Sequence, residues 1–296
     1  MYAPFGHLVT AMVTPFDDRL KIDLDLAEVL INHLLTTGTQ TILVGGTTGE
    51  SPTLSTDELL ALVKKVRGLL KGDVRLMVGT GTNSTDKTVT LSKKVEDEGA
   101  DALLVVNPYY NKPTQDGLEA HFRAVASSLD IPVVLYNIPG RTGVNCLPET
   151  MARLMDRENI VGVKEAAGSV EQVARIRSMI PSDRFAIYSG DDSLTLPMLA
   201  VGAIGVVSVA SHIVGEKIRE MIETFFRGDI SRSREVHLEL LPIFEALFCR
   251  VNPIPIKYAL NRMGIKVGGY RLPLTPLDLD GQKMVDSALR NAGLIS

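Results

Sequence analysis

Eight short β-branched runs alternating with amphipathic helical stretches predict an α/β fold: a (β/α)8 TIM barrel with a C-terminal helical extension. The first observation is the strand set. Runs at 8–13, 41–44, 75–79, 102–106, 132–137, 160–164, 185–189 and 205–208 are apolar on both faces, as strands enclosed in a parallel sheet are. The second is what separates them: helical periodicity at 24–36, 56–70, 85–98, 115–129, 148–155, 170–179 and 193–200. The helix expected at 56–70 opens on Ser55-Thr56-Asp57-Glu58, a capping-box pattern that satisfies two orphan amides. The third is a change of period after position 208, where helical patterns follow one another at 212–227, 231–247, 255–263 and 279–292. Val251-Asn252-Pro253-Ile254-Pro255 and Arg271-Leu272-Pro273-Leu274-Thr275-Pro276 punctuate them. This segment is too long to be only the closing helix of a barrel. We therefore expect a barrel over 1–224 that carries the active site and a helical layer over 225–296. A doubly wound open sheet is the alternative for the alternating part.

The 296 residues, 45% hydrophobic, allow a large core, and with no Trp and few other aromatics that core must be aliphatic. A net charge of -4 without a Lys/Arg cluster argues against a nucleic-acid or anionic-membrane partner. No apolar run is long enough to span a bilayer, and the first residues lack the basic and apolar regions of a signal peptide. Cys146 and Cys249 match no metal spacing, which suggests free thiols and a cytoplasmic setting. The histidines include no HExxH pair, so a protein-held catalytic metal is not expected.

In a barrel of this kind the active site forms at the carboxyl ends of the strands. Strand six ends in Gly162-Val163-Lys164-Glu165, placing a lysine at the edge of a buried run. An unpaired ammonium there loses hydration, which favours the neutral, nucleophilic amine suited to Schiff-base formation with a carbonyl; a lysine that snorkels to solvent is the plain alternative. What favours the chemical reading is the company on the same rim. Strand two ends in Gly45-Gly46-Thr47-Thr48-Gly49-Glu50-Ser51, either a simple turn or a nest of N–H groups and hydroxyls for a small carboxylate; it lacks the pattern of a phosphate loop. Tyr136, one strand before Lys164, is either a core tyrosine or a proton shuttle. Arg141, in a Gly-flanked loop, is either a surface charge or a bidentate clamp for a carboxylate. Strand four ends in Asn107-Pro108-Tyr109-Tyr110-Asn111 and strand seven in Ser189-Gly190-Asp191-Asp192.

Four of these segments together resemble one family: Gly45-Gly46-Thr47-Thr48-Gly49-Glu50, Tyr109-Tyr110-Asn111-Lys112-Pro113, Tyr136 to Gly143, and Gly162-Val163-Lys164-Glu165. In this order and spacing they are similar to the dihydrodipicolinate synthase and N-acetylneuraminate lyase superfamily, Schiff-base aldolases that act on pyruvate. The similarity runs on through Asn252-Pro253-Ile254-Pro255-Ile256-Lys257 and so covers nearly the whole chain. Gly140-Arg141-Thr142-Gly143 resembles the dihydrodipicolinate synthase branch, in which the arginine holds the carboxylate of aspartate semialdehyde.

The resemblance implies condensation of pyruvate with L-aspartate 4-semialdehyde, the committed step toward diaminopimelate and lysine, with no metal or organic cofactor. It implies Lys164 as the Schiff-base lysine and Tyr136 as proton donor and acceptor, relayed through Thr48 to a Tyr110 that reaches in from a neighbouring subunit. The backbone amides of Thr47 and Thr48 would bind the pyruvate carboxylate, Gly190 and Val207 would line the pocket, and the assembly would be a homotetramer. A sialate or keto-sugar-acid lyase, and a silent barrel that binds a small acid, are the alternatives. Feedback-sensitive members bind lysine in a cleft matching Ser51, Pro52, Thr56, Leu59, Asn83, Lys87 and Tyr109. There a histidine matches Thr56, a ring matches Leu59 and a glutamate matches Lys87, so we expect weak lysine feedback or none.

Overall fold

The structure is a computed structural model that describes residues 2–296. Eight parallel strands close in sequence order: β1 (Leu8–Ala11), β2 (Thr41–Val44), β3 (Arg75–Gly79), β4 (Ala102–Val106), β5 (Val133–Asn137), β6 (Ile160–Glu165), β7 (Ala186–Ser189) and β8 (Gly205–Ser208), with β8 paired back to β1. The helices between them are α1 (Leu24–Thr36), α2 (Thr56–Leu69), α3 (Thr85–Asp97), α4 (Gln115–Ala126), α5 (Pro139–Thr142), α6 (Pro148–Arg153), α7 (Val170–Met179) and α8 (Thr195–Ala200). Beyond β8 come α9 (Ser211–Phe226), α10 (Ile230–Leu247), α11 (Ile254–Arg262) and α12 (Leu279–Asn291). The position 224/225, where we expected the helical layer to begin, falls in the last turn of α9.

The alternation of side chains along a strand sorts the apolar residues into two sets. Val9, Leu43, Met77, Leu104, Val134, Tyr136, Tyr188 and Val207 pack together as the barrel interior. Their neighbours Leu8, Ile42, Val78, Leu103, Leu135, Val163, Ile187 and Val206 pack outward against the helices. Both faces are therefore covered, which is why the strands read as continuous apolar runs. Closure leaves little room where β8 begins: a Cβ on Gly205 would lie 2.1 Å from the His7 carbonyl oxygen, so glycine alone lets the chain pass.

The ends of several elements are set by side chains rather than by propensity. The strand expected at 8–13 stops at Ala11 because the Val13 N–H bonds to the His212 ring (3.1 Å) instead of to a strand. β5 starts one residue late because Pro132 has no N–H to give. The helix expected at 115–129 ends at Ala126, where the Asn159 amide takes the carbonyls of Ala126 and Leu129. The capping box at Ser55 and Glu58 is present as expected. The short α5 and a 3-10 turn at Ser51–Thr53 carry too little periodicity to be read from sequence.

His212 is fully buried where β8 passes into α9. Because its Nε2 accepts the Val13 N–H, Nδ1 carries the proton and donates to the Val209 carbonyl (2.8 Å). Burial holds its pKa down, from 6.5 to about 4. A histidine with a depressed folded pKa contributes stability that is complete above its unfolded value and is lost as pH falls toward the folded one. Between pH 6.5 and 4 the loss attributable to His212 should be about 3 kcal/mol. Denaturant midpoints across that range should drop more steeply for the native protein than for His212→Gln, and equal slopes would refute the assignment.

Candidate active site

The loop after β2 bonds mainly to itself. Gly49 N–H and Ser51 N–H donate to the Gly46 carbonyl (3.0 and 3.3 Å), and Glu50 N–H to that of Thr47 (3.1 Å). Among the described residues, no acceptor takes the N–H of Thr47 or Thr48. Two adjacent free donors in a turn form a concavity for an anion, as the glycine-rich sequence suggested. The two hydroxyls differ. Thr47 lines the cavity described below, whereas Thr48 is buried and its Oγ1 accepts from the Asn252 amide (2.9 Å).

Lys164 and Tyr136 are register partners on β6 and β5, as neighbouring strand ends should be. The Lys164 Nζ lies 4.3 Å from the centre of the Tyr136 ring. The lysine is 6% exposed and, among the described residues, has no hydrogen-bond or ion-pair partner. Gly190 abuts it: a Cβ there would come within 3.1 Å of Lys164 Cε and 2.6 Å of Ala166 Cβ, so any side chain would press on the amine's stem. Val207 is buried in the same interior cluster as Tyr136.

A cavity of about 330 Å³ opens above this floor, lined by Gly45, Gly46, Thr47, Tyr109, Tyr136, Ile138 and Arg141 among others. Lys164, Thr48, Gly190 and Val207 do not line it; Lys164 adjoins it through Tyr136. Arg141 sits exposed on α5, and among the described residues no carboxylate pairs with its guanidinium. Tyr110 stands apart, 89% exposed and at φ +74. Ser51, Pro52, Thr56 and Leu59 line a continuation of the same cavity.

Two sets of contacts went unread in the sequence. In the first, the buried Glu165 carboxylate accepts from Asn137 Nδ2 (3.1 and 3.0 Å), Gln172 Nε2 (2.9 Å) and the Ala167 N–H (2.8 Å). Burial raises its pKa, and the Asn137 and Gln172 hydrogen bonds oppose that rise. Asn137 also accepts from the Cys146 N–H (2.9 Å) and donates to Asn145 (2.7 Å), which fixes the segment following Arg141. In the second, Lys257 on α11, Asn252 just before it and Arg271 between α11 and α12 reach the β2 loop. A lone lysine in the apolar run Ile254-Pro255-Ile256-Lys257 was the available signal.

Residues 4–292 match the Dihydrodipicolinate synthetase family. The chain is 50% identical over 292 residues to the 4-hydroxy-tetrahydrodipicolinate synthase of Cyanothece sp., covering 98% of this chain and 99% of that one. It is 53% identical over 270 residues to the enzyme of that name from Heliobacterium modesticaldum, covering 91% and 90%. Among solved structures, the DHDPS of Cyanidioschyzon merolae with lysine bound superposes with a TM-score of 0.97 at 45% identity, over 99% of this chain and 100% of that chain. With the match spanning barrel, rim loops and C-terminal helices alike, the chain belongs to the dihydrodipicolinate synthetase family.

Proposed function

We propose that this chain is a lyase that condenses pyruvate with L-aspartate 4-semialdehyde to 4-hydroxy-tetrahydrodipicolinate through a Schiff base on Lys164. The observation that carries the reading is the Lys164 amine itself, buried, without an ion-pair partner and set against the ring of Tyr136. Neutral Nζ attacks the pyruvate ketone, and loss of water leaves an iminium that draws electrons from the adjacent methyl carbon. Removal of a methyl proton gives an enamine, whose carbon attacks the aldehyde of the second substrate. The amine of that substrate then displaces Lys164 and closes the ring, so the net by-product is one water. The iminium supplies the electrophilic activation, and the reaction calls for no further cofactor.

The free N–H groups of Thr47 and Thr48 receive the pyruvate carboxylate, where fixed donors act more strongly than water would. Gly190 and Val207 bound the space around the bound ketoacid. Tyr136 exchanges protons with the carbinolamine. Since Thr47 lines the cavity while the Thr48 oxygen is engaged by Asn252, the relay toward Tyr110 runs through Thr47 rather than through Thr48. Tyr110, exposed and held in a left-handed conformation, completes the site of a neighbouring copy within a cytoplasmic homotetramer. Arg141 takes the carboxylate of the aldehyde substrate.

Borohydride added with pyruvate should fix one reduced pyruvate per chain on the peptide containing Lys164; label elsewhere, or undiminished label in Lys164→Ala, would sink the mechanism. Arg141→Ala should retain that trapping yet lose roughly 30-fold or more in turnover of aspartate semialdehyde, since a charge-assisted bidentate contact contributes about 2 to 4 kcal/mol. Turnover of N-acetylneuraminate instead of aspartate semialdehyde would transfer the chain to the lyase branch.

Lysine sensitivity follows from the cavity's continuation past Ser51 and Leu59. Lys87, exposed and outside the lining of that cavity, stands where a glutamate would attract an ammonium, so attraction becomes a solvent-screened repulsion. Millimolar lysine should therefore inhibit weakly or not at all, and half-inhibition well below a millimolar would contradict this.

A further inference from the structure

We propose that Asn252 and Lys257 are positioning residues for the first substrate: α11 and the segment leading into it grip the β2 loop and hold the Thr47 and Thr48 N–H pair in register for a carboxylate. The inference rests on the reading of that loop as the pyruvate carboxylate site. Its starting point is Glu50, a non-glycine residue in the left-handed region (φ 56, ψ 35) two residues beyond Thr48, the second free donor. Such a backbone persists only where its surroundings over-determine it.

The Glu50 surroundings are unusually complete. Its side chain is fully buried, with Oε1 2.9 Å from the Lys257 Nζ on α11 and Oε2 accepting the Arg271 N–H at 3.0 Å. Lys257 is also fully buried; it donates to the Thr14 carbonyl (3.1 Å) and lies 4.2 Å from the centre of the Phe16 ring. Thr14 in turn gives its hydroxyl to the Gly49 carbonyl (2.6 Å), and Asn252 gives its amide to Thr48 Oγ1 (2.9 Å). Three successive loop residues, Thr48, Gly49 and Glu50, are thus each tethered by another part of the chain.

A buried ion pair is a poor device for stability, because well-packed apolar residues serve as well without the desolvation cost. It is a good device for fixing one geometry, since both charges must stay matched. Donors that meet a carboxylate act best when already in place, and the loop's own hydrogen bonds do not engage the Thr47 and Thr48 N–H groups themselves.

Arg271 also binds Glu58 in the first turn of α2, so its removal would disturb more than the loop. Lys257→Met and Asn252→Ala are the informative variants, the second removing one hydrogen bond without stranding a charge. In ping-pong kinetics, kcat/KM for each substrate reports its own half-reaction. For pyruvate it should fall about tenfold or more in Lys257→Met and about fivefold in Asn252→Ala, the latter matching one hydrogen bond. For aspartate semialdehyde it should stay within about twofold per folded enzyme, because Arg141 is held by a different network. Borohydride trapping on Lys164 at saturating pyruvate should survive in both. A merely structural role would lower both values together, and that result, or an unchanged value for pyruvate, overturns the proposal. If Lys257→Met does not fold, Asn252→Ala decides. Absence of an adduct in the unaltered protein would instead refute the Schiff-base reading.

Discussion

Closure of the parallel sheet is the constraint on which the other features depend. β1 pairs with β2 on one side and β8 on the other, so no strand edge remains and every backbone ladder is satisfied within the chain. Because all eight strands run the same way, all their carboxyl ends meet at one rim. The interior below is filled by aliphatic and tyrosine side chains, leaving that rim as the place where polar groups can converge. Tyr188 illustrates the limit: in register with Lys164 on the adjoining strand, it turns its hydroxyl to Phe5 and Gly6 before β1, at the opposite end. Of the two inward neighbours of Lys164, Tyr136 is therefore the one that serves the rim.

Two buried lysines in one molecule show how environment divides their roles. Lys257 has a carboxylate at 2.9 Å, a carbonyl at 3.1 Å and an aromatic face, the set that makes a buried cation tolerable. Burial pulls its pKa down while the Glu50 charge opposes. Lys164 has the aromatic face alone. Among the described residues no hydrogen-bond partner engages its Nζ, and a glycine at 190 keeps its stem free of pressure. In the proposed readings the paired lysine fixes a loop, and the unpaired one carries the covalent chemistry.

The barrel was legible because each strand is covered on both faces and so reads as an unbroken apolar run; β2, β3, β4 and β8 begin and end where the pattern says. Two of the boundaries slipped where a distant side chain took over a backbone group, as His212 does at Val13 and Asn159 at Ala126. The rim residues were legible for a similar reason, since a strand end is both a local signal and a spatial address. Asn252 and Lys257 were not, because each contact spans more than two hundred residues, 204 to Thr48 and 207 to Glu50. A polar residue in an apolar stretch announces that it needs a partner without saying where. Nor does the repeated threonine in the β2 loop show which of the two lines the cavity; Thr47 does, while Thr48 accepts from Asn252.

Among the described residues, the non-glycine residues in left-handed conformations are Leu20, Glu50, Tyr110 and Lys112, all on loops that leave strand carboxyl ends. Each such residue costs about 1 kcal/mol or more, so its position is held by something. For Glu50 the holder is the buried ion pair. For the β4 loop it is in part Asn111, whose amide binds the Asn83 carbonyl (2.8 Å) between the two strained neighbours. That contact orders the backbone, yet it leaves the Tyr110 ring 89% exposed, an apolar face held in water on a strained support. Within the proposed reading both costs are offset on assembly, when a second copy covers the ring and receives its hydroxyl. The same strain that looks unfavourable in one chain then presets the loop for its partner, so that less order has to be imposed when the subunits meet.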